Sequence, residues 1–398
     1  MRILFVVQRY GVSVAGGAEQ HCRRLAEALV GRGHEVHVAT TCAVDYVTWA
    51  NSLPDGTDRI NGVVVHRFPV SQPRDKELFD SISRTIDFVD GHNTVDQERI
   101  WLDAQGPLVT GLKDWLATEG RRFDVAVVFT YLYSTAEIAL EELHGHIPVL
   151  LRATAHREPP MNLGLIRKRL ASVRHFVCAT PEEESLLREY GSPTARYDVV
   201  GIGVDEVVVR SASLSDTMRR LQIPLHRYAL VLGRVDGSKG VLEGIDHFRK
   251  FKRSTETSLR LVVVGANVEN LRSDPDVSLT GYVDPDDAAA LIAGAEVLIQ
   301  PSYFESFSLA ICEAWLAQVP SLANAHCDVL AGQSQRSGGG LLYTDVQSFV
   351  AQLQSLDRDA KLRRSLGIKG RQFVLDQYRP DVVADQFERV LVGAITKR

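Results

Sequence analysis

The stretch Pro301-Ser-Tyr-Phe-Glu-Ser-Phe-Ser-Leu-Ala-Ile-Cys-Glu-Ala-Trp315 decides the fold predicted for this chain of 398 residues. The apolar run 295–300 before it predicts a buried parallel strand, and the apolar spacing after it predicts a helix that starts near Phe307. Glu305 then lies at the corner between strand and helix, and Glu313 lies inside the helix. In a doubly wound sheet this carboxyl end of a strand is where ligands bind, and a helix start suits a phosphate.

The spacing of the two glutamates predicts two hydroxyl-binding groups rather than a catalytic acid and base. Eight helical steps from Glu305 to Glu313 would rise about 12 Å, which is too far for a close general acid/base pair. The spacing suits hydrogen bonds at the two ends of an elongated ligand, such as a sugar nucleotide. The alternative is a favoured helix-start charge at Glu305 and a solvated Glu313. The apolar neighbours Ile311 and Trp315 count against it, because a carboxylate that faces the core needs a partner.

This pattern resembles a known signature. Glu305-Ser-Phe-Ser-Leu309, followed by Glu313-Ala, is similar to the Glu-x7-Glu signature of retaining glycosyltransferases with the GT-B fold, above all glycosyltransferase family 4 (glycosyl transferases group 1). The resemblance implies an α/β protein with two Rossmann-like, doubly wound domains that face a central cleft. It implies an acceptor-side domain at 1–195, a nucleotide-sugar donor domain at 205–375, and a C-terminal helix at 376–398 that crosses back to the N-terminal domain. It covers nearly the whole chain, but the insertion at about 71–120 is poorly specified.

Composition and charge exclude several classes of protein. The net charge of −5 argues against wholesale nucleic-acid binding. No stretch approaches the roughly 18 apolar residues of a membrane span, and the apolar run after Met1 is too brief for a secretion signal. The five scattered cysteines have no close pair with metal-ligand spacing, which predicts buried thiols in a reducing cytosol. A cytoplasmic protein is therefore expected.

The N-terminal half opens with a βαβ pattern. A strand is predicted at 3–7, a glycine loop at Gly16-Gly17, a helix after it, and a second strand at 34–40. The loop lets the backbone approach a phosphate, although the same glycines also suit a flexible turn. Their spacing differs from the Gly-x-Gly-x-x-Gly dinucleotide pattern, which counts against an oxidoreductase. A similar Gly-Gly-Ala-Glu faces donor phosphates and acceptor in family 4, which implies these roles for Gly16 and Gly17.

A histidine follows one of the later strands, which are predicted at 63–68, 124–130, 147–152 and 176–180. His156 comes just past the strand at 147–152, in the zone where ligands bind, although a loop histidine bonded to backbone is the alternative. The family often has a histidine here, close to the reacting sugar and usually followed by an acid. In this chain Arg157 follows, which implies an altered acceptor charge.

The segment 164–175 carries four Lys or Arg cations and no acid, and it predicts a helix that is basic on one side and apolar on the other. Such a helix can contact anionic lipid, which would place the protein peripherally at the inner face of the membrane. The alternative is a helix that covers the core with a solvated charged face.

Two cations follow the strand predicted at 228–233. Arg234 and Lys239 stand in a strand–loop–helix corner, where they can converge on one diphosphate or simply form a solvated turn. They match the family's phosphate-binding pair. The family's base sits against a Gly-x-Val backbone, which implies that Tyr282 and Val283 contact the donor base. Other elements are predicted as strands at 261–265, 278–283, 319–323 and 338–343, and as helices at 360–378 and 380–395.

The C-terminal half of the chain departs from the family pattern at three positions. Ser306 and Ser308 stand where the family commonly has glycine beside the phosphate, and Gln318 stands where glycine usually precedes Val-Pro. A serine N–H still donates to phosphate, and its hydroxyl adds a donor. These departures therefore question the choice of donor more than the fold.

Together the motifs imply a retaining glycosyltransferase that moves a sugar from a nucleoside diphosphate sugar to a saccharide, lipid-linked or small-molecule acceptor, in glycan or polysaccharide biosynthesis. The implied catalytic residues are His156, Arg234, Lys239 and Glu305. The implied donor-binding residues are Gly16, Gly17, Arg234, Lys239, Tyr282, Val283, Glu305, Ser306, Phe307, Ser308, Leu309 and Glu313. No metal and no cofactor are expected. Two alternatives stay open: a sugar-nucleotide epimerase or hydrolase of the same fold, and a non-catalytic nucleotide-sugar binding protein.

Overall fold

The computed structural model describes residues 1–14, 16–206, 214–224, 226–233, 235, 239–267 and 270–396. The chain divides into two compact units. Met1–Gly203 and Pro380–Arg398 form the first, which we call the N-terminal domain. Val204–Arg379 form the second, the C-terminal domain. Arg234, one of the two cations predicted to bind phosphate, lies outside the described residues.

The N-terminal domain is built on a sheet whose described strands follow the order β3-β4-β2-β1-β5-β6-β7-β8. All pairs are parallel except β3 with β4. The strands are β1 (Arg2–Val6), β2 (Glu35–Thr41), β3 (Gly56–Ile60), β4 (Val63–Phe68), β5 (Val125–Phe129), β6 (Val149–Arg152), β7 (His175–Cys178) and β8 (Arg196–Val199). The first helices are α1 (Gly17–Gly31), α2 (Lys76–Ser83), α3 (Val95–Gln105), α4 (Leu112–Thr118), α5 (Ser134–Leu143), α6 (Gly164–Ser172) and α7 (Pro181–Arg188).

Both faces of this sheet are covered, which explains why its central strands are apolar throughout. Side chains alternate between the faces of a strand. In β1, Ile3 and Phe5 belong to the core on one face, whereas Leu4 and Val6 belong to the core on the other. A strand buried on both faces therefore appears in the sequence as a continuous apolar run.

The C-terminal domain is built on a parallel sheet whose described strands follow the order β11-β10-β9-β12-β13-β14. The strands are β9 (Tyr228–Leu232), β10 (Arg260–Val264), β11 (Val277–Gly281), β12 (Val297–Gln300), β13 (Ser321–Asn324) and β14 (Gly340–Tyr343). The helices are α8 (Leu214–Arg220), α9 (Val241–Ser254), α10 (Pro285–Ala293), α11 (Leu309–Leu316), α12 (Asp328–Ser337), α13 (Val346–Arg358) and α14 (Ala360–Gln377). The strand order reverses between β9 and β12, so the segments that follow these strands diverge and leave a crevice at their carboxyl ends.

The last helix, α15 (Pro380–Thr396), returns to the N-terminal domain. Its buried residues Val383, Phe387 and Leu391 join the core on one face of the N-terminal sheet. Arg32, at the end of α1, forms ion pairs with Asp385 and Glu388 on the outer side of α15. The chain therefore passes from the N-terminal to the C-terminal domain and back again.

The predicted pair of Rossmann-like sheets is confirmed, and two strands were missed. β3 (Gly56–Ile60) is almost wholly exposed, and β8 (Arg196–Val199) contains two charged residues, so neither has an apolar pattern. Both lie at the edges of the N-terminal sheet, where backbone pairing alone can hold a strand. The insertion at 71–120 contains α2, α3 and α4, and its predicted packing points include Trp101, which is buried.

The basic segment 164–175 does not have a free apolar side. Ile166 and Leu170 of α6 are fully buried in the N-terminal core. Arg169 is also buried, where it forms an ion pair of 2.7 Å with Glu137. The expected lipid contact is therefore not supported, because the apolar residues that would enter a bilayer already pack on the sheet. Among the described helices, none is long and apolar enough to cross a membrane.

Candidate active site

The C-terminal domain brings Lys239 and Glu305 into direct contact. Nζ of Lys239 donates to Oε1 of Glu305 across 2.9 Å, and the side chains are 30% and 11% exposed. Lys239 follows β9 and Glu305 follows β12, so the pair joins the two segments at which the strand order reverses. Nε2 of Gln300, the last residue of β12, also donates to Oε1 of Glu305 across 3.1 Å. One oxygen of the carboxylate thus accepts from two donors.

A close backbone approach sets the position of this pair. Gly240, between Lys239 and α9, has φ +63°, and a Cβ at this position would lie 2.3 Å from the carbonyl oxygen of Pro301. Only glycine satisfies both the left-handed conformation and the contact. The start of α9 is therefore held against the segment that leads from β12 to Glu305.

The helix after Glu305 starts later than predicted. The sequence predicts a start near Phe307, but α11 begins at Leu309, with Ser308 as its N-cap. The predicted rise of about 12 Å assumed eight helical steps between the two glutamates, and that assumption is wrong, since only the part after Ser308 is helical. Phe307 is buried and packs edge-on against Tyr378, with ring centroids 4.9 Å apart, so only its backbone is left for a ligand.

Ser308 presents a buried hydroxyl at the start of α11. The residue is 2% exposed, and its Oγ has no hydrogen-bond partner among the described residues. As N-cap it makes no side-chain bond to its own helix. A buried polar atom without a partner is costly, so a ligand oxygen at this place would gain a donor that is already positioned. The first N–H groups of α11 have no partner within the helix, as at any helix start, so they are further donors at this place.

Glu313 lies on the partly exposed side of α11. Leu309, Ala310 and Glu313 are half-buried, whereas Cys312 and Trp315 are fully buried in the domain core. The helix therefore turns one stripe away from the core, and Glu313 is part of that stripe. Two alternatives were considered from the sequence: a solvated Glu313, and a Glu313 that faces the core. The side chain is half-buried, so neither alternative describes it fully.

Tyr282 and Val283 follow β11, on the far side of β10 from β9. Gly281 ends the strand with φ +72°, and its carbonyl accepts from the N–H of Gly265 across 2.9 Å. The side chain of Tyr282 is 76% exposed, whereas Val283 is buried. The exposed ring of Tyr282 is compatible with contact to a flat ligand group.

A buried cysteine beside Glu305 was not predicted as part of this site. Burial raises the pKa of the Cys327 thiol to about 11, and the nearby carboxylate of Glu305 adds to the rise. The thiol is therefore protonated at neutral pH and is a poor nucleophile. All five cysteines are buried and free, as predicted.

In the N-terminal domain, Gly16 caps α1 and contacts a buried ion pair that sequence reasoning missed. Arg9 and Glu19 are 7% and 6% exposed, with NH2 of Arg9 2.5 Å from Oε1 of Glu19. Nε2 of Gln8 donates to the same oxygen across 2.8 Å. A Cβ on Gly16 would lie 2.2 Å from Oε2 of Glu19, and Gly17 has open space around its Cα. The acid of the Gly-Gly-Ala-Glu motif thus holds the glycine loop to the end of β1.

His156 follows β6, and an acid lies beside it two positions along the chain. Nδ1 of His156 is 3.8 Å from Oε2 of Glu158, whose other oxygen accepts from the hydroxyl of Tyr131 across 2.6 Å. Arg157, in contrast, forms an exposed two-bond ion pair with Glu189. Glu158 is therefore a carboxylate close to His156, and the charge of Arg157 is directed to the surface.

The buried carboxylate of Glu183 holds the loop that carries His156. Glu183, 1% exposed, accepts from the N–H of Ala155 across 2.7 Å and from the N–H of Ala179 across 2.5 Å. Burial raises the pKa of Glu183 to about 7, although these N–H groups and Arg152 act against the rise. Thr154, in the same loop, has φ +51°, which is a strained conformation for a β-branched residue. The loop is thus fixed by its surroundings rather than by its own preference.

One group of side chains in the described residues has the spacing of metal ligands. Asp87, Asp90 and His92 have ligand atoms within 4.8 Å of one another. Asp87 already accepts from the backbone N–H groups of Val89, Asp90 and His92, which is the pattern of an Asx turn. The group lies between α2 and α3, apart from the residues predicted to bind the donor.

Comparison with known proteins identifies the family of this chain. A family model described as "Glycosyl transferase 4-like domain" matches residues 16–203, and one described as "Glycosyl transferases group 1" matches residues 226–359. The chain belongs to this glycosyltransferase family. Glycogen synthase of Mycobacterium tuberculosis is 22% identical over 425 residues, which span 99% of this chain and 95% of that protein.

Two solved structures illustrate the shared GT-B fold. Sucrose-phosphate synthase from Thermosynechococcus elongatus has a TM-score of 0.73 and 18% identity, and the match covers 100% of each chain. HepE of Anabaena, solved in complex with UDP-glucose, has a TM-score of 0.71 and 14% identity, and the match covers 99% of this chain and 100% of that one. At this identity the likeness shows the fold alone.

One departure from the glycosyltransferase pattern has a clear structural effect. Gln318 adopts φ +60°, the left-handed conformation that favours glycine. Its carbonyl lies against α14, where a Cβ on Gly367 would approach it to 1.9 Å. Position 318 therefore has a backbone geometry that favours glycine.

The structure brings some of the predicted residues together within each domain. In the C-terminal domain, Lys239 and Glu305 are in contact, and Ser306 to Leu309 lead from Glu305 into α11. Tyr282 and Val283 stand apart, because β9 and β10 separate β11 from β12. In the N-terminal domain, Gly16 and His156 follow β1 and β6, which are separated by β5.

Proposed function

We propose that this glycosyltransferase uses a nucleoside diphosphate sugar as donor and retains the anomeric configuration of the transferred sugar. The observation that carries the proposal is the Lys239–Glu305 ion pair, which stands beside the start of α11 at the strand-order reversal. A cation, a helix start and a buried hydroxyl on the segments that follow β9 and β12 support a diphosphate site in this part of the domain. UDP-glucose is the first donor to test, since HepE was solved with it.

We assign different residues to the diphosphate, the sugar, the ribose and the base of the donor. Lys239, together with Arg234, would neutralise the diphosphate, and Ser308 and the N–H groups of Phe307 and Leu309 would donate to it. Lys239 must then exchange part of its contact with Glu305 for phosphate oxygen. The freed oxygens of Glu305 would accept from hydroxyls of the donor sugar. Glu313 would bind the ribose, and the backbone at Tyr282 and Val283 would contact the base. Ser306 would add a further N–H donor beside the sugar.

In the proposed reaction the acceptor attacks from the side on which the diphosphate leaves. The bond between the anomeric carbon and the phosphate oxygen breaks, the bond to the acceptor oxygen forms, and the acceptor proton passes to the departing phosphate. Lys239 would stabilise the negative charge that develops on the leaving group. Glu305 is paired with a lysine, unlike the two facing carboxylates of a retaining glycosidase.

The N-terminal domain would supply acceptor-side contacts. His156 would orient the reacting sugar or the acceptor, supported by Glu158 at 3.8 Å. Gly17 is the first residue of α1, where an N–H has no partner within the helix, so this N–H is suited to a donor phosphate or the acceptor. A saccharide, a lipid-linked sugar or a small alcohol would each present the hydroxyl that this arrangement requires.

We propose further that the reaction needs no divalent metal, because cations and a helix start supply the positive charge at the leaving group. Activity measured with excess EDTA should then equal activity without it. A loss of activity with EDTA that Mg²⁺ or Mn²⁺ restores would contradict this part alone.

The test combines binding and turnover. A thermal-shift panel of UDP, GDP and ADP sugars identifies the donor, because a ligand that binds only the folded protein raises its melting temperature. Proton NMR of the product with an acceptor panel then reports the anomeric coupling, and retention is expected. Consumption of the donor with acceptor omitted would instead favour an epimerase or hydrolase. Binding of a sugar nucleotide that Lys239→Ala weakens, with no turnover in either protein, would favour a non-catalytic binding protein. If no sugar nucleotide or nucleoside diphosphate shifts the melting temperature, the donor assignment is wrong.

A further inference from the structure

A cavity of about 460 Å³ opens in the N-terminal domain away from the candidate active site. Its walls come from the segment before β6, the turn before β7, the start of β8 and the last turn of α15. β6, β7 and β8 are parallel, so their amino ends lie at one edge of the sheet. Gly16 and His156 follow the carboxyl ends of β1 and β6, which lie at the opposite end of the parallel strands from the cavity. The cavity is therefore separate from the predicted active-site residues of this domain.

The walls of the cavity have two characters. One part is apolar and the other carries nitrogen bases and cations. The apolar residues are Leu140, Ile147, Pro148, Val149, Val173 and Ala394, and the basic ones are His144, Arg174, His175 and Arg196. Among the described residues that line the cavity, none is acidic. The volume falls within the range of about 300–1,000 Å³ that is usual for small-molecule sites.

Arg174 is the group that makes this cavity more than a surface depression. Its side chain is exposed and makes no hydrogen bond or ion pair with any residue that the structure describes. The neighbouring bases are differently placed: Nε of Arg196 and Nε2 of His175 both lie 2.7 Å from Oδ2 of Asp198. The carboxylate of Asp198 thus pairs with both Arg196 and His175. Arg174 has no carboxylate partner among the residues that the structure describes.

We propose that this cavity is a binding site for a small anionic ligand, a phosphate or carboxylate attached to an apolar body. Arg174 would hold the anion through two parallel N–H bonds, which suit both phosphate and carboxylate. The apolar body would lie against Leu140, Ile147 and Val149.

The position of the cavity links a bound ligand to α15. Gly393 and Ala394 form one wall, and NH1 of Arg196 donates to the carbonyl of Gly393 across 3.5 Å. A ligand in the cavity therefore touches the final turn of the helix that begins where the C-terminal domain ends. Binding is expected to slow hydrogen exchange in this turn.

The experiment titrates phenyl phosphate, benzoate and benzyl alcohol into the full-length protein by calorimetry, at low salt. The wild type is compared with Arg174→Gln and with a matched control, Lys168→Gln, which removes an exposed cation of α6 that does not line the cavity. Both anions should bind wild type and Lys168→Gln equally, and Arg174→Gln about tenfold or more weakly. Benzyl alcohol should bind all three variants equally weakly. Stronger binding of phenyl phosphate than of benzoate would mark a phosphorylated ligand, and the reverse would mark a carboxylate.

Hydrogen exchange locates the bound anion, and a second variant tests the cavity itself. Phenyl phosphate should protect residues 144–149 and 390–396, and Ala394→Phe, which fills the cavity, should abolish that protection while Arg174 is unchanged. Equal affinities of wild type and Arg174→Gln would overturn the proposal. Protection confined to the segments around Lys239 and Glu305 would also overturn it, because the anion would then occupy the candidate donor site.

Discussion

Two pairs of a glutamate and a cation occupy strand–loop–helix corners of the two sheets, but they differ in their access to water. Arg9 and Glu19, after β1, are 7% and 6% exposed, whereas Lys239 and Glu305, after β9 and β12, are 30% and 11% exposed. A buried pair must stay closed, because either partner alone would be a buried charge. A partly exposed pair contributes little to stability and can open for a ligand. The first pair therefore holds a loop, and the second is suited to chemistry.

The largest expected effect comes from breaking the buried pair. Glu19→Leu leaves Arg9 buried without its carboxylate, and this should lower the free energy of unfolding by about 3–5 kcal/mol. Urea unfolding of the full-length protein measures the change. Glu119→Leu, which breaks an exposed pair with Arg122, is the matched control and should cost about 1 kcal/mol or less. The double variant Arg9→Met with Glu19→Leu should recover most of the loss. An additive loss in that double variant would show that the pair itself is not what holds the loop.

Breaking the partly exposed pair should affect activity instead. Lys239→Ala removes the cation proposed to stabilise the leaving diphosphate, and kcat should fall roughly 100- to 1,000-fold. The free energy of unfolding should change by about 1 kcal/mol or less. Lys250→Ala, an exposed lysine of α9, is the control and should leave both quantities unchanged. A variant of Lys239 that retains kcat but loses stability would reverse the roles assigned to the two pairs.

A third carboxylate sharpens the contrast, because it is buried and bonded mainly to backbone. Burial raises the pKa of Glu183 to about 7, above its usual value of 4.5. The folded state then holds the proton more tightly than the unfolded state, so this group's contribution is complete below about pH 4.5 and is lost as pH rises towards 7. Relative to Glu183→Gln, the wild type should lose about 1–3 kcal/mol of unfolding free energy between pH 5 and pH 8. Urea unfolding of both proteins at four pH values gives this difference. A constant difference would mean that the carboxylate is ionised throughout.

Much of the fold could be predicted from the sequence, because the strands of both sheets are buried on two faces. The continuous apolar runs at Ile3–Val6 and Val125–Phe129 indicated parallel strands directly. The exposed edge strand β3 could not be predicted in this way, since it has no apolar pattern and is held by backbone pairing with β4 and by polar contacts such as the Asp58–Arg67 ion pair. The late start of α11 was also hidden, because Ser306 and Phe307 fit the first turn of a helix as well as they fit a loop.

The site was predictable as a set of motifs but not as a set of contacts. Residue spacing placed Lys239 and Glu305 at strand ends, yet 66 positions separate them, and no local pattern shows that they pair. Glu19 was visible within a glycine motif, but its partner Arg9 precedes it across a loop. Glu158 could not be predicted from the family pattern, because that pattern has its acid directly after the histidine, at position 157. In each case a tertiary contact decides the role of a residue whose type was already clear.

The smallest expected effect separates backbone from side chain at the end of α11. Gln318 has φ +60°, which costs a residue with a Cβ about 1–2 kcal/mol, whereas glycine has a greater entropy loss on folding of about 0.5–1 kcal/mol. Gln318→Gly should therefore raise the free energy of unfolding by up to about 1 kcal/mol and leave activity unchanged. Gln352→Gly, inside α13, is the matched control and should lower it by about 1 kcal/mol, since glycine weakens a helix interior. Urea unfolding of both variants supplies the comparison. If both substitutions destabilise equally, the side chain of Gln318 stabilises the fold by more than its backbone strain costs.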